Sequence, residues 1–219
     1  MPRRADDRTV PGTDESAGGH RTTSVGVAGY GAGMPTLTWV PALARPDLLA
    51  PTTAAALTSW AAAVPEVADE VHVAEIDPDL ADTAALNEAY GLPSSGSVNC
   101  VLVVGRREGT ERLAAAGVRA TTRADVNNVV KRLLDVRKAT FLAMERATAE
   151  SGMEYGGITF LGLPGRYRVL LDASVAGTDP DAGDRVVIGS GVRRSKLSLP
   201  GALLAAAPGV ELVDGLALA

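Results

Sequence analysis

The chain has 219 residues, 46% hydrophobic and 21% charged, with a formal net charge of −5. It is long enough to bury a core without disulfides or metals. One cysteine (Cys100) and two histidines (His20, His72) exclude an internal disulfide and a zinc site of the usual Cys/His kind, and 4% aromatics leave little for base-stacking platforms.

Residues 1–24 are rich in Gly, Thr, Asp and Arg, so a disordered tail is expected, followed by one domain over 25–219. They hold no apolar signal core, and no apolar run of about 18 residues follows, which points to a cytoplasmic protein with no membrane partner. The run Gly29-Tyr30-Gly31-Ala32-Gly33 resembles part of a dinucleotide fingerprint. It lacks a glycine at the needed spacing, and Pro35 follows, so no nucleotide site is expected there.

The spacing of Leu57 and Trp60 predicts a helix over 52–63. Residues 71–76 alternate, predicting a strand with Val71 and Val73 inward and His72 and Ala74 outward. A Ser-His-Asp or Cys-His catalytic arrangement would have to use His72, because His20 lies in the tail. A helix over 80–90 should stop at Gly91-Leu92-Pro93. The apolar run 98–104, broken only by Asn99, reads as a buried strand. Within it Asn99 needs a partner, from a neighbouring loop or in a pocket, while Cys100 packs on the opposite side.

Thr122-Arg123-Ala124-Asp125 resembles a capping box before the stripe Val126, Val129, Val130, Leu133, Leu134, the clearest amphipathic helix in the chain. Its polar face carries Asn127, Asn128, Lys131 and Arg132. A further helix over 144–151 should end at Gly152. Strands are expected over 156–161, 167–171, 185–189, 196–199 and 210–213, with a turn-rich stretch at 177–183 and a short helix opened by Pro200. This mixture predicts a mixed α/β (α+β) domain with a curved or barrel-like sheet flanked by helices.

Charge is uneven. Residues 46–105 hold nine acids and no Lys or Arg; residues 106–146 hold ten basic and five acidic residues. That pattern describes either solvated helix faces or a basic face for a polyanion beside an acidic one.

The most specific stretch is 152–164, where Gly156-Gly157-Ile158-Thr159-Phe160-Leu161-Gly162 follows Tyr155. Paired glycines permit positive φ and close backbone approach, either as a bulged hairpin or as a loop offering bare N–H and C=O groups to a ligand. With Val136-Arg137-Lys138-Ala139-Thr140-Phe141 upstream, Val187-Ile188-Gly189-Ser190-Gly191-Val192-Arg193-Arg194-Ser195-Lys196 downstream and the closing segment 203–216, it resembles the YbaK/EbsC family over roughly 80–217. That family comprises prolyl-tRNA synthetase-associated editing domains and trans-acting aminoacyl-tRNA deacylases.

The resemblance implies a hydrolase of translation fidelity. It would cleave the ester of mischarged aminoacyl-tRNA without cofactor or metal, with the aminoacylated 3′ end as substrate and an aminoacyl-tRNA synthetase as a further partner. Carried over by position, Gly156 and Gly157 would hold a water or the ester carbonyl through their backbone, and Thr159 would donate a hydrogen bond. Asn99 stands where relatives often have Lys, and Phe160 where they have Pro. The resemblance also implies a substrate pocket at Phe160, Gly162, Ser190 and Gly191. Contacts to tRNA phosphates would come from Lys131, Arg132, Arg193, Arg194 and Lys196, although the last three also suit a solvated hairpin edge. Asp172 falls at a family acid and reads first as a turn cap. The substitutions at Asn99 and Phe160 suit equally a non-catalytic relative that binds tRNA or an aminoacyl group. A hydrolase of another activated ester is the third possibility.

Overall fold

The computed structural model describes residues 35–219, so the expected tail and the Gly29–Gly33 run lie outside the described residues. A short strand β1 (Val40–Pro41) leads to helices α1 (Pro51–Ala63) and α2 (Glu66–Glu70). Strand β2 (His72–Glu75) and helix α3 (Thr83–Tyr90) follow. Strands β3 (Val98–Arg107) and β4 (Thr110–Arg119) form a hairpin, and β5 (Arg123–Ala124) comes next. A wide π turn (Val126–Val130) then runs into α4 (Lys131–Leu133). The remainder is β6 (Ala139–Phe141), α5 (Met144–Ser151), β7 (Tyr167–Asp172), β8 (Arg185–Gly189), β9 (Ser195–Pro200), α6 (Gly201–Ala205), β10 (Val210–Val213) and β11 (Ala217–Leu218).

Two sheets carry the fold, ordered β1-β2-β9-β8 and β10-β7-β4-β3-β6, with β11-β5 as a small third. The mixed α/β class is as expected, but among the described residues no sheet closes into a barrel. The sheets pack face to face through Val73, Ile188, Leu197 and Leu199 on one and Val98, Leu102, Leu113 and Leu171 on the other, with Leu57 and Trp60 of α1 closing the same core. The far face of the five-stranded sheet offers Val103, Ala114, Ala116 and Val118 to Val126, Val130 and Leu134 of the 126–134 helix. Strand β4 is therefore buried on both faces, which its run of alanines permits.

Local departures from the sequence expectations have physical causes. Ala74 is buried beside Val73 because both faces of β2 are covered. His72 is half-buried, its Nδ1 near the carbonyl of Glu70 and the Arg185 guanidinium. The 126–134 helix forms, but its cap is Asp125, whose carboxylate accepts from the Asn128 N–H at 2.9 Å; Arg123 and Ala124 pair with β11. Residues 156–161 are turns and bends rather than a strand: the Gly157 N–H closes a turn onto the Glu154 carbonyl, and the Gly157 carbonyl accepts from Gly191 of a neighbouring loop instead of a sheet partner. Pro200 immediately precedes α6 rather than opening its first turn.

Candidate functional site

Helix α5 ends at Gly152 in a left-handed conformation (φ 68°), and the chain turns into the glycine loop. This loop is bolted to residues 190–193. The Glu154 N–H donates to the Gly191 carbonyl at 2.9 Å, and the Gly191 N–H donates to the Gly157 carbonyl at 2.7 Å. The Gly157 N–H donates to the Glu154 carbonyl at 2.9 Å, and the Arg193 N–H donates to the Glu154 carboxylate at 2.6 Å. Gly157 lies so close to Val192 that a Cβ there would stand 2.5 Å from its carbonyl carbon. Both backbone groups of Gly157 are thus spent. The N–H groups of Gly156 and Ile158 have no protein partner among the described residues.

Three other elements converge on the loop. Lys196, on β9, is buried at 5% exposure, and its ammonium donates to the carbonyls of Ala81 (2.8 Å) and Gly156 (2.9 Å). Ala81 precedes the start of α3, where the Asp82 side chain accepts from the Ala84 N–H as N-cap. The Thr83 hydroxyl donates to Oδ1 of Asn99 at 2.8 Å, so Asn99 takes the partner that its place in an apolar strand requires. Desolvation lowers the Lys196 ammonium to about 8, partly offset by the Asp82 carboxylate and reinforced by Arg193.

Two hollows flank this centre. The larger, about 750 Å³, lies between β3, β6 and the π turn and is lined by Asn99, Val101, Arg123, Asn127, Thr140 and Phe141 among others. The smaller, about 190 Å³, is apolar and is lined by Val101, Leu102, Leu142, Ala147, Tyr155 and Ile158 among others. They share Val101 and Phe141. Phe141, Met144 and Tyr155 are exposed beside the smaller one at 64%, 54% and 61%.

Gly156 and Gly157 lie together in the loop, and Asn99 is linked to it indirectly, through Thr83 two residues from Ala81, which shares Lys196 with Gly156; other expected residues lie elsewhere. Phe160 does not line either hollow. It is buried, and its ring packs against Gly117 of β4. Gly162 (φ 87°) abuts the backbone of Thr52, and Gly191 (φ 88°) abuts Ala50, so both are packing positions rather than pocket walls. Ser190 is fully buried, its hydroxyl 2.7 Å from that of Ser195.

Lys196 is turned inward and so is not a surface cation. Arg194 is exposed and donates to the Asp47 carbonyl. Lys131 is half-buried and Arg132 exposed; neither forms an ion pair among the described residues. Asp172 caps a turn through the Ser174 N–H and also binds the Ala217 N–H. Burial pushes the Cys100 thiol up, which disfavours a thiolate. Sequence reasoning missed Thr83 and the inward course of Lys196, because contacts between distant segments leave no local pattern. The exposed Phe141 and Tyr155 had a signal, since each lies in a motif already singled out.

Thr159 is fully buried, and its hydroxyl is the one buried side-chain polar atom without a partner among the described residues. Its N–H lies 3.4 Å from the Met153 sulfur. An orphaned hydroxyl costs roughly 1–3 kcal/mol. The near-isosteric Thr159→Val is therefore expected to raise stability by about 1 kcal/mol, measured by urea unfolding; a loss of stability would show that the hydroxyl is bonded in solution.

Fold and loop define a class: a mixed α/β domain of two packed sheets that carries a glycine loop clamped to residues 190–193. A family model described as an aminoacyl-tRNA editing domain matches residues 77–206, and the chain belongs to that family. No curated protein matches it. Among solved structures it is similar to a candidate trans-editing enzyme for prolyl tRNA synthetase, with 19% identity and a TM-score of 0.58 over 76% of this chain and 97% of that one. The hypothetical protein APE2540 is similar at 15% identity and TM-score 0.61, covering 74% and 99%. A scaffold used in computational epitope grafting is similar at 18% and 0.59, covering 78% and 99%. At these identities the structures speak for the fold.

Proposed function

We propose that this chain hydrolyses, in trans, the ester joining an amino acid to the terminal ribose of a mischarged tRNA. The observation that carries the reading is the loop at Gly156, held by its clamp to 190–193 with the Gly156 and Ile158 N–H groups unspent, in a chain belonging to the editing-domain family. The water oxygen bonds to the ester carbonyl carbon, and the C=O π pair moves onto oxygen. The loop's free N–H groups stabilise that oxyanion. When it collapses, the bond to the ribose oxygen breaks, and a proton originating from the water passes to that oxygen. The products are the free amino acid and tRNA with its hydroxyl restored.

The apolar hollow beside Tyr155 and Ile158 suits an aminoacyl side chain. The larger hollow, with Asn127, Arg123 and exposed Phe141, suits the 3′ nucleotide. Lys131, Arg132, Arg193 and Arg194 are the cations for the acceptor phosphates, with the resulting salt dependence.

Asn99 favours a second reading, a non-catalytic tRNA binder, because it is neutral and already bonded to Thr83. A panel of mischarged tRNAs separates the two. Release of the amino acid above the uncatalysed rate from at least one member is expected, and binding without release from any would establish the second reading. Comparable turnover of free aminoacyl esters lacking tRNA would point to a different activated ester.

A further inference from the structure

Lys196 is one of two buried cations among the described residues; the other is Arg119. Arg119 is spent on the carbonyls of Ser95, Ser174 and Gly177 and lies 4.0 Å from Asp179. Lys196 forms no ion pair among the described residues. An ammonium has three donors, and two are used, on Ala81 and Gly156. A buried charge without a counter-charge is costly, yet this one lies against the loop on which the proposed chemistry depends. Arg193 reaches the same place: its guanidinium donates to the Tyr155 carbonyl, and a Cβ on Gly156 would meet it at 2.9 Å.

We propose that Lys196 is a positioning residue for ester hydrolysis: its ammonium ties the Gly156 carbonyl to the segment entering α3, holds in place the peptide that lies between the loop's two free N–H groups and sets a positive charge beside them. This rests on the deacylase reading. Lys196 keeps its protons throughout the reaction. Its charge lowers the energy of the oxyanion, and its two hydrogen bonds hold the loop in the geometry that the transition state needs. The charged groups facing it are Asp82 at the cap of α3 and Arg193, the latter bonded through its N–H to Glu154. Asn99 is neutral and bonded to Thr83, so the positive charge beside the Gly156 carbonyl comes from Lys196 on another strand.

The test is deacylation of preformed mischarged tRNA by the full chain, with kcat and KM separated between pH 6.5 and 9 and the enzyme-free rate subtracted. Lys196→Met should lower kcat at pH 7 by tenfold or more while KM stays within about threefold. Wild-type kcat should decline above pH 8, where the ammonium loses its proton, and the decline should be missing from the variant. Lys196→Arg, if it folds, should recover part of kcat and shift the decline beyond pH 9. A folded Lys196→Met variant with kcat within twofold of wild type would overturn the assignment. Should the variant not fold, the wild-type profile decides: a flat kcat through pH 8 overturns it and a decline supports it. A wild-type protein inactive on every tRNA tested overturns the deacylase reading itself. An active wild type with an indifferent variant overturns only the role of Lys196.

Discussion

Gly157→Ala should cost roughly 3 kcal/mol or more, a fall in Tm on the order of 6–12 °C for a chain of this size. The added Cβ would lie 2.5 Å from the carbonyl carbon and oxygen of Val192 and 2.8 Å from its nitrogen. These are backbone atoms, which cannot swing away as a side-chain tip can. Relief requires the loops to part, which breaks the bond between the Gly191 N–H and the Gly157 carbonyl and strains its neighbour from the Glu154 N–H to the Gly191 carbonyl. Deacylation should be lost with the clamp. That loss would report on loop position and not on a blocked water, since both polar groups of Gly157 are already bonded within the protein. Gly165→Ala is the control: its Cβ would meet nothing within 4 Å, so Tm should move by no more than a degree or two. Thermal unfolding of the two variants side by side checks this, and equal melting temperatures would mean that the clamp is looser than drawn.

The elements legible in the sequence are those with one covered face. Helix α1 shows Leu57 and Trp60 inward, and the 126–134 helix shows Val126, Val130 and Leu134. Strands β7, β8 and β10 also fall where alternation and turn residues put them. Strand β4 gave no such signal. Its core, Leu113-Ala114-Ala115-Ala116-Gly117-Val118, packs Leu113 and Ala115 into one core and Ala114, Ala116 and Val118 into the other. A central strand pressed between two layers loses its period of two, and its small residues favour helix in isolation. Gly117 is small because the Phe160 ring occupies its face, 2.7 Å from where a Cβ would be. That contact joins positions 43 residues apart and explains why Phe160, expected at a pocket, is core.

The site was legible as a motif and illegible as a geometry. Paired glycines announced a close backbone approach. Which segment approaches, residues 190–193, follows from the packing of the four-stranded sheet on the five-stranded one. The basic look of Arg193-Arg194-Ser195-Lys196 suggested one cationic edge. In the fold both faces of β9 are covered: Leu197 and Leu199 pack into the core, and Lys196 is buried on the opposite face beneath the carbonyls of Ala81 and Gly156, while Arg193 and Arg194 stay on the loop. Alternation alone would turn Lys196 away from the core leucines towards solvent; it could not give the second cover, or the pair of carbonyls waiting there.

That inward ammonium should leave a mark on stability as a function of pH. Its ordinary value is 10.5, and burial lowers it to about 8 in the fold. Between these values the unfolded chain holds the proton and the folded chain has released it. More protons are bound in the unfolded state, so unfolding free energy rises with pH across this window. The cost of burying the charge is fully present below pH 8 and is relieved as pH climbs towards 10.5. From pH 7 to pH 9.5 the gain is about 2 kcal/mol by linkage. Two other groups pull the opposite way. Desolvation raises the Cys100 thiol, and desolvation with the bond to Glu150 raises the Tyr167 hydroxyl, so each favours unfolding as pH rises past its ordinary value. A wild-type curve alone would mix the three. The difference between wild type and Lys196→Met removes the two acids, because both chains contain them. Urea unfolding of both proteins at pH 7 and pH 9.5 should show wild type gaining about 2 kcal/mol on the variant. A pH-independent difference would mean that Lys196 keeps its ordinary proton affinity, and hence that water reaches its ammonium in solution.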